Sequence, residues 1–194
     1  RDSDPFGFIL FARNIENPDQ VARLTADLRA AVGRDAPILI DQEGGRVQRM
    51  RGPHWRDWTP PLDAAIAAGA DAARALGLRA RLIAEELLSV GIDANCAPVA
   101  DIAGPDTHPF LRNRCYAETA AQVCKIARAV ADAHLAAGLE PDPGLCLDGD
   151  WTENGGAEAM AALLALPEPP SAVFSCNYNM TLGVLAQIYQ AGME

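Results

Sequence analysis

The sequence predicts an α/β protein of about five βα units, in which a mainly parallel sheet is covered by helices. Short apolar runs alternate with longer amphipathic segments along the chain. The runs are apolar throughout, which is typical of parallel strands that are buried on both faces. Strands separated by helices run parallel through right-handed crossovers. Five units are too few to close an eight-stranded β/α barrel, so we expect an open sheet.

The first three units are marked most clearly. Residues 6–11 form a continuous apolar run of strand length. Asn17 and Pro18 predict a helix start, because Asn can accept hydrogen bonds from free amides and Pro fits the first helical position. The helix is expected to end at Gly33. The remaining predicted elements are a strand over 38–40, a helix over 62–90 with a break near Gly69 or Gly77, a strand over 92–99 and a helix over 118–137 that stops at Gly138.

The chain changes character after residue 139. Residues 140–144 are Glu-Pro-Asp-Pro-Gly and predict a stiff linker. We therefore divide the sequence into residues 1–139 and 140–194, which are expected to form one composite domain. In the second part the pattern predicts strands over 145–147 and 172–175 and helices over 158–166 and 180–191.

Composition excludes several classes of function. The net charge is −10 and the isoelectric point about 4.7, which disfavours nucleic acid as a partner. No apolar run approaches the ~20 residues that a membrane span needs, and no secretory pattern is visible at the start. The five cysteines lack C-x-x-C spacing, which favours free thiols in a reducing compartment. We expect a cytoplasmic protein without metal or cofactor.

The strongest chemical signal follows the second predicted strand. Residues 41–49 read Asp-Gln-Glu-Gly-Gly-Arg-Val-Gln-Arg. Carboxylates such as Asp41 and Glu43 accept hydrogen bonds from sugar hydroxyls, and an arginine such as Arg49 donates several in a fixed fork. The glycines allow a backbone to approach a ligand closely. A solvated, charged loop without function is the alternative.

The third predicted strand also leads to an acid, Asp101. Acids at two strand ends could form the pair of carboxylates that glycosidases use. Helix capping by Asp101 is an equally open alternative. In the loop after Asp101, His108 is expected to form hydrogen bonds at the surface. Trp55 and Trp58 lie earlier, in the long loop after the second strand, and are expected to pack rather than to stack on a sugar.

Three ordered stretches carry a resemblance to glycoside hydrolase family 3. They are residues 7–14, residues 41–49, and Ala-Pro-Val-Ala-Asp at 97–101 with Asn-Arg at 113–114. More narrowly, the chain resembles the cytoplasmic bacterial β-N-acetylhexosaminidases that recycle peptidoglycan. The resemblance implies a partial TIM-barrel-like piece in which Asp41, Arg49 and Arg114 hold N-acetylglucosamine. Glu43 and Asp101 are then accessory candidates.

The chain departs from this family in its catalytic segments. The family starts one strand and helix earlier, and it continues after the helix that matches residues 118–138 into a Pro-Gly-His-Gly loop with the acid/base histidine. A later strand supplies the aspartate nucleophile. Neither segment is found, so the resemblance implies no catalytic residue and, at best, weak binding of an amino sugar. The alternatives are an active β-N-acetylhexosaminidase that uses Asp41, Glu43 or Asp101, and a scaffold that self-associates through exposed strand edges.

Residues 140–194 carry a second resemblance, to part of the effector-binding domain of lactose-repressor-type regulators. That fold is shared with periplasmic sugar-binding proteins, so a flavodoxin-like or periplasmic-binding-like piece is implied. The stretches concerned are residues 140–144, 149–152, 171–174 and 182–184. Asn177 and Tyr178 stand where those proteins usually have Asn-Asp, which implies loss of the ligand-binding acid. Together the two resemblances predict a chimera joined at 138–141.

Overall fold

The computed structural model describes residues 5–138, 147, 149–170, 173, 175 and 178–192. The chain forms two compact units, Arg1–Glu140 and Pro141–Glu194. Among the described residues, no helix has the length and apolar character that crossing a membrane requires.

The first unit is built on a parallel sheet, which in the described residues has three strands in the order β1-β2-β3. They are β1 (Phe8–Leu10), β2 (Ile38–Ile40) and β3 (Ala94–Asn95). All pairings are parallel, which confirms the predicted strand direction. Each outer strand is shorter than the apolar run that predicted it.

The prediction of a strand over residues 92–99 was wrong in extent. Backbone pairing with β2 ends at Cys96, whose amide donates to the Ile40 carbonyl at 2.9 Å. The Ala97 amide then turns back to the Asn95 carbonyl, at 2.7 Å. Pro98 follows and has no N–H to donate, so the ladder cannot continue. Apolar composition alone gave no sign of this early end.

Helix α1 (Pro18–Val32) begins and ends as the sequence predicts. The Asn17 side chain accepts from the Gln20 amide at 2.9 Å, which satisfies one free N–H of the first turn. Gly33 ends the helix with φ of 71°, a left-handed conformation that glycine adopts without a steric penalty.

The predicted helix over residues 62–90 is two helices, α2 (Pro61–Ala68) and α3 (Ala72–Leu88). The break lies at Gly69, where φ is 55°. Gly77 stays within α3 and has a packing role instead. A Cβ there would lie 3.2 Å from the Ala129 carbonyl oxygen of the facing helix, so Gly77 marks a close helix approach.

Two further α-helices and two short 3-10 helices, Ala12–Asn14 and Gly69–Asp71, complete the described part of the first unit. The short α4 (Pro109–Arg112) was not predicted, because four residues are too few to show a helical period. Helix α5 (Ala120–Ala136) was predicted, and the Thr119 side chain caps its first turn. It ends before Gly138, whose φ is 99°.

The core of the first unit lies between the sheet and the helices. One buried cluster joins the strands to α1 and α3, and Trp55 and Trp58 pack against it as predicted. A second cluster, rich in alanine, joins α2, α3 and α5. The bulky side chains with no exposed surface in the first cluster are Val21, Ile38, Ile40, Met50, Leu87 and Ile92.

The described part of the second unit contains α6 (Glu153–Leu164) and α7 (Tyr178–Gln190). The predicted start of α6 at residue 158 was wrong, because the Thr152 side chain caps an earlier first turn by accepting from the Gly155 amide at 3.0 Å. The two helices cross closely. A Cβ at Gly183 would lie 1.8 Å from the Glu153 carbonyl oxygen.

Several predictions for the second unit fall on residues outside the described part of the chain. The linker at 140–144 and Asn177 lie there, and so do residues 145 and 146 of one predicted strand and residues 172 and 174 of the other. The strands and helices described above establish the α/β class, with a small parallel sheet and helices, for the first unit.

Candidate functional site

The loop after β2 forms an ion pair at the carboxyl end of the sheet. Arg49 donates from Nη2 to Oδ2 of Asp41 at 2.7 Å. About a quarter of each side chain is exposed. The carboxyl ends of parallel strands are where ligands bind in open α/β sheets, so this pair has both the position and the access that a polar ligand needs.

A second ion pair lies beside the first. Arg114 donates from Nε and Nη2 to the two carboxylate oxygens of Glu43, at 2.9 and 2.7 Å. The Glu43 side chain is 3% exposed and that of Arg114 is 31% exposed. The hydrogen bonds that Arg114 donates to Glu43 are the main reason why the pKa of Arg114 is raised, and the Asp41 charge adds to it. The fork geometry fixes the plane of the guanidinium.

Asp101 lies at the margin of this group and is exposed. Its negative charge also contributes to the raised pKa of Arg114. It caps neither nearby helix, since α4 is capped by His108 and α5 by Thr119. The capping alternative was therefore wrong. His108 is exposed, as predicted, and its Nδ1 accepts from the Phe110 amide.

Gln42 holds the two ends of the loop together. Its side chain is 1% exposed. The side-chain oxygen accepts from the backbone amides of Arg49 at 2.8 Å and Met50 at 3.1 Å, and the side-chain nitrogen donates to the Met50 carbonyl at 2.9 Å. These bonds place residue 49 opposite residue 41. Gln42 thereby holds Asp41 and Arg49 close enough to form their ion pair.

Gln48 fixes the outer part of the same loop. It donates to the carbonyls of Met50 at 2.8 Å and Arg56 at 2.6 Å, and it accepts from the Trp58 amide at 3.1 Å. Sequence reasoning missed both glutamines because polar residues in a loop are expected to be solvated. The signal that could have found them is their position within the motif at 41–49, next to charged residues whose backbone must be held in place.

The predicted role of the glycine pair was only partly right. Gly44 has φ of 105°, and a Cβ there would lie 1.6 Å from Nη2 of Arg79. The close approach serves a side chain of the protein itself, since Arg79 donates to the Glu43 carbonyl at 2.6 Å. Arg79 is 7% exposed, and burial lowers its pKa. Its guanidinium lies 5.3 Å from the centre of the Trp58 ring.

Cys96 is a neighbour of Asp41 that the sequence did not single out. Burial, followed by the hydrogen bond to Asp41 and its charge, raises the pKa of the thiol to about 11. At neutral pH the thiol is therefore protonated. It is a poor nucleophile, because the thiolate is the reactive form.

A larger cleft lies elsewhere. It has a volume of about 440 Å³ and runs along α2, α3 and the start of α5, with walls formed largely by alanine and isoleucine. None of the predicted site residues lines it. Within the described residues, no three His, Cys, Asp or Glu side chains come together as a metal site.

Comparison with known proteins assigns the first unit to a family. The Glycosyl hydrolase family 3 N terminal domain matches residues 5–140. The chain belongs to this family. Its relatives include the β-hexosaminidase of Methylococcus capsulatus, which is 40% identical over 138 residues, or 69% of this chain and 39% of that protein. The β-hexosaminidase of Alkalilimnicola ehrlichii is 34% identical over 169 residues, or 86% of this chain and 46% of that protein.

Solved structures of related proteins agree with the fold. NagZ from Neisseria gonorrhoeae in complex with N-trifluoroacetyl-D-glucosamine superposes with a TM-score of 0.61 at 29% identity, over 69% of this chain and 40% of that one. The β-N-acetylhexosaminidase of Beutenbergia cavernae superposes with a TM-score of 0.59 at 26% identity, over 80% and 54%. The chain spans about two fifths of the length of the curated relatives that it matches.

Proposed function

We propose that the first unit carries a weak subsite for an N-acetylglucosamine-type sugar and that the chain does not turn this sugar over. Asp41, Arg49 and Arg114 are the binding residues, with Glu43 and Asp101 in accessory roles. The observation that carries the proposal is the pair of arginine–carboxylate contacts made by the loop after β2, of which Asp41–Arg49 is held in place by the buried Gln42. Such fixed, partly exposed donors and acceptors suit the hydroxyl and amide groups of an amino sugar.

The same contacts argue against turnover by these residues. A retaining glycosidase uses a nucleophile and a separate proton donor on opposite sides of the bond that breaks. Asp41 and Glu43 are each committed to an arginine. Ion-paired carboxylates accept hydrogen bonds from a bound sugar, whereas proton donation requires another group. Our proposal is accordingly binding without catalysis.

Calorimetric titration of the full chain with N-acetylglucosamine tests the binding. We expect weak, millimolar association that is lost in Asp41→Ala, because the sugar loses an acceptor and Arg49 loses its partner. Glu85→Ala is the matched control, since Glu85 is an exposed carboxylate on α3. Identical titrations of the parent and Asp41→Ala would remove the proposal.

The alternative is an active β-N-acetylhexosaminidase, since the relatives that the chain matches over part of their length are β-hexosaminidases. A chromogenic aryl N-acetylglucosaminide separates the two. We expect no release of the aryl group above background. Release that Asp101→Asn abolishes, in material free of contaminating enzyme, would establish the alternative.

The hybrid origin of residues 140–194 stays a prediction. The match to the A. ehrlichii protein covers more of the chain than the family domain does, so it extends beyond residue 140. That extension favours a continuous family 3 chain over a chimera. A crystal structure of the chain would decide between a barrel strand and a periplasmic-binding-like strand at residues 145–147.

A further inference from the structure

A hydrogen-bond path connects helix α5 to the proposed subsite. His134 of α5 is 7% exposed, and its Nε2 lies 3.2 Å from Nδ2 of Asn95 in β3. Asn95 in turn bonds to the backbone of Gln42 at two points, accepting from its amide at 3.0 Å and donating to its carbonyl at 3.2 Å. Gln42 is the residue whose side chain fixes the backbone of Arg49.

The partners determine the protonation state of the histidine. Nδ1 lies 2.8 Å from the Val130 carbonyl, which can only accept, so Nδ1 carries the proton. The orientation of the Asn95 amide is set by the Gln42 N–H, which needs an oxygen opposite it. Nδ2 of Asn95 therefore donates to Nε2 of His134. The imidazole is neutral, and both of its nitrogens are used.

A second proton on His134 would oppose this arrangement. It would place an N–H at Nε2 against the N–H groups of Asn95. If the Asn95 amide turned over to present oxygen to His134, its nitrogen would face the Gln42 N–H. Either way the path loses at least one bond, and the anchor of Gln42 on β3 is weakened.

The surroundings disfavour that second proton as well. His134 lines a small cavity of about 10 Å³. Three other ionisable groups line this cavity: Arg79 from α3, Glu43 from the loop after β2, and Tyr116. Arg79 is a cation, Glu43 is already paired with Arg114, and the pKa of Tyr116 is raised to about 12 by burial, so it is neutral. A space of this size has room for about one water molecule, too little to hydrate a new charge.

We propose that His134 is a positioning residue for the amino-sugar subsite. Its neutral imidazole acts through Asn95 to hold Gln42, and Gln42 places Asp41 and Arg49. The role of His134 in sugar binding rests on the proposed function. The coupling between His134 and the loop exists without a sugar. It can therefore be measured separately.

Nuclear magnetic resonance of the full chain tests the coupling directly. In the parent at pH 7.5 we expect the His134 ring to carry its proton on Nδ1, with Nε2 as the acceptor. The backbone amide signals of Gln42 and Arg49 should shift together when His134 gains a proton on acidification. An Nε2–H tautomer, or loop signals indifferent to the state of His134, would overturn the proposal without any variant.

Variants then separate positioning from general packing. His134→Gln offers a neutral acceptor to Asn95, so the loop signals should keep their positions at pH 7.5 and lose the pH dependence. His134→Ala should move them at pH 7.5. His54→Gln is the control, because His54 is exposed in the loop before α2 and should leave both readouts unchanged. Loop signals in His134→Ala that match the parent would also contradict the proposal.

Sugar titration completes the experiment. His134→Ala should weaken N-acetylglucosamine binding several-fold, and His134→Gln should retain the parent's affinity at pH 7.5. Equal affinity of the parent and His134→Ala would overturn the positioning role. If the parent binds no N-acetylglucosamine, the proposed function fails, and the resonance measurements still decide whether His134 sets the loop.

Discussion

At the scale of single residues, the site is a small set of charges with unequal exposure. Glu43 is almost completely buried, whereas its partner Arg114 remains one-third exposed. Asp41 and Arg49 are both accessible. Burying a charge is costly unless a partner and hydrogen bonds accompany it. The Glu43–Arg114 pair is therefore the most sensitive contact of the site.

Removal of Arg114 should destabilise the protein more than removal of an ordinary surface arginine. In Arg114→Met the Glu43 carboxylate stays buried without its partner, and we expect a loss of about 2–3 kcal/mol in the free energy of unfolding. Urea denaturation measures it. Arg81→Met is the matched control, since Arg81 forms an exposed pair with Glu85 and should cost less than about 0.5 kcal/mol.

A double variant checks the cause. Glu43→Gln combined with Arg114→Met removes the buried charge and should recover part of the stability. If the double variant were as unstable as the sum of both single variants, loss of packing rather than an unpaired charge would explain the result.

The thiol of Cys96 should be unusually slow to alkylate. Its pKa of about 11 leaves little thiolate at pH 8, and we expect iodoacetamide to modify it more than about a hundredfold slower than an ordinary exposed thiol. Peptide mass spectrometry distinguishes it from Cys124, which is exposed. Asp41→Asn should accelerate the reaction because it removes the neighbouring negative charge, and Glu85→Gln should not. Equal rates for Cys96 and Cys124 would contradict this account of the thiol.

At the scale of elements, the loop after β2 is rigid because buried groups of the protein hold it. Gln42 and Gln48 fix its backbone, and Arg79 from α3 fixes the Glu43 carbonyl. Gly44 allows this last contact, because any side chain there would occupy the position of the guanidinium. The loop and α3 thus form one structural element of the site.

Gly44→Ala tests this dependence on α3. The added Cβ would displace Arg79 and would strain a backbone with positive φ, so we expect a loss of more than about 2 kcal/mol in the free energy of unfolding. Gly33→Ala is the matched control. Gly33 also has positive φ, but a Cβ there meets nothing within 4 Å, and the cost should be about 1 kcal/mol. If both variants lost similar amounts of stability, Arg79 would not be what holds the loop.

At the scale of the whole molecule, one buried histidine links stability to pH. Burial lowers the pKa of His134 from its ordinary value of 6.5. The unfolded chain then takes up the proton first as the pH falls, so the folded state loses stability below about pH 6.5. Above that value the contribution of the neutral imidazole is fully present.

Unfolding free energies between pH 7.5 and 5.5 measure this loss. One proton gives a slope of at most about 1.4 kcal/mol per pH unit. We expect the parent and His54→Gln to lose stability over this range and His134→Gln to lose less. The same slope in all three proteins would show that other groups dominate the response.

The sequence by itself determined the class of the fold and the position of its chemistry. Apolar runs separated by amphipathic helices predicted parallel strands, and caps at Asn17 and Gly33 predicted both ends of α1. The charged motif after β2 predicted Asp41, Glu43 and Arg49 at a strand end. These features are local, because propensity, capping and periodicity act within a few residues of the chain.

Only the tertiary structure decided which groups meet. The pairing of Glu43 with Arg114, the contact of Arg79 with the loop, and the path from His134 to Gln42 join residues that are between 36 and 92 positions apart, and they depend on how helices pack on the sheet. A glutamine in a charged loop is ordinarily solvated, yet Gln42 is buried, because its side chain satisfies backbone groups that no neighbouring strand pairs. Long-range hydrogen bonding of this kind leaves no periodic trace in a sequence.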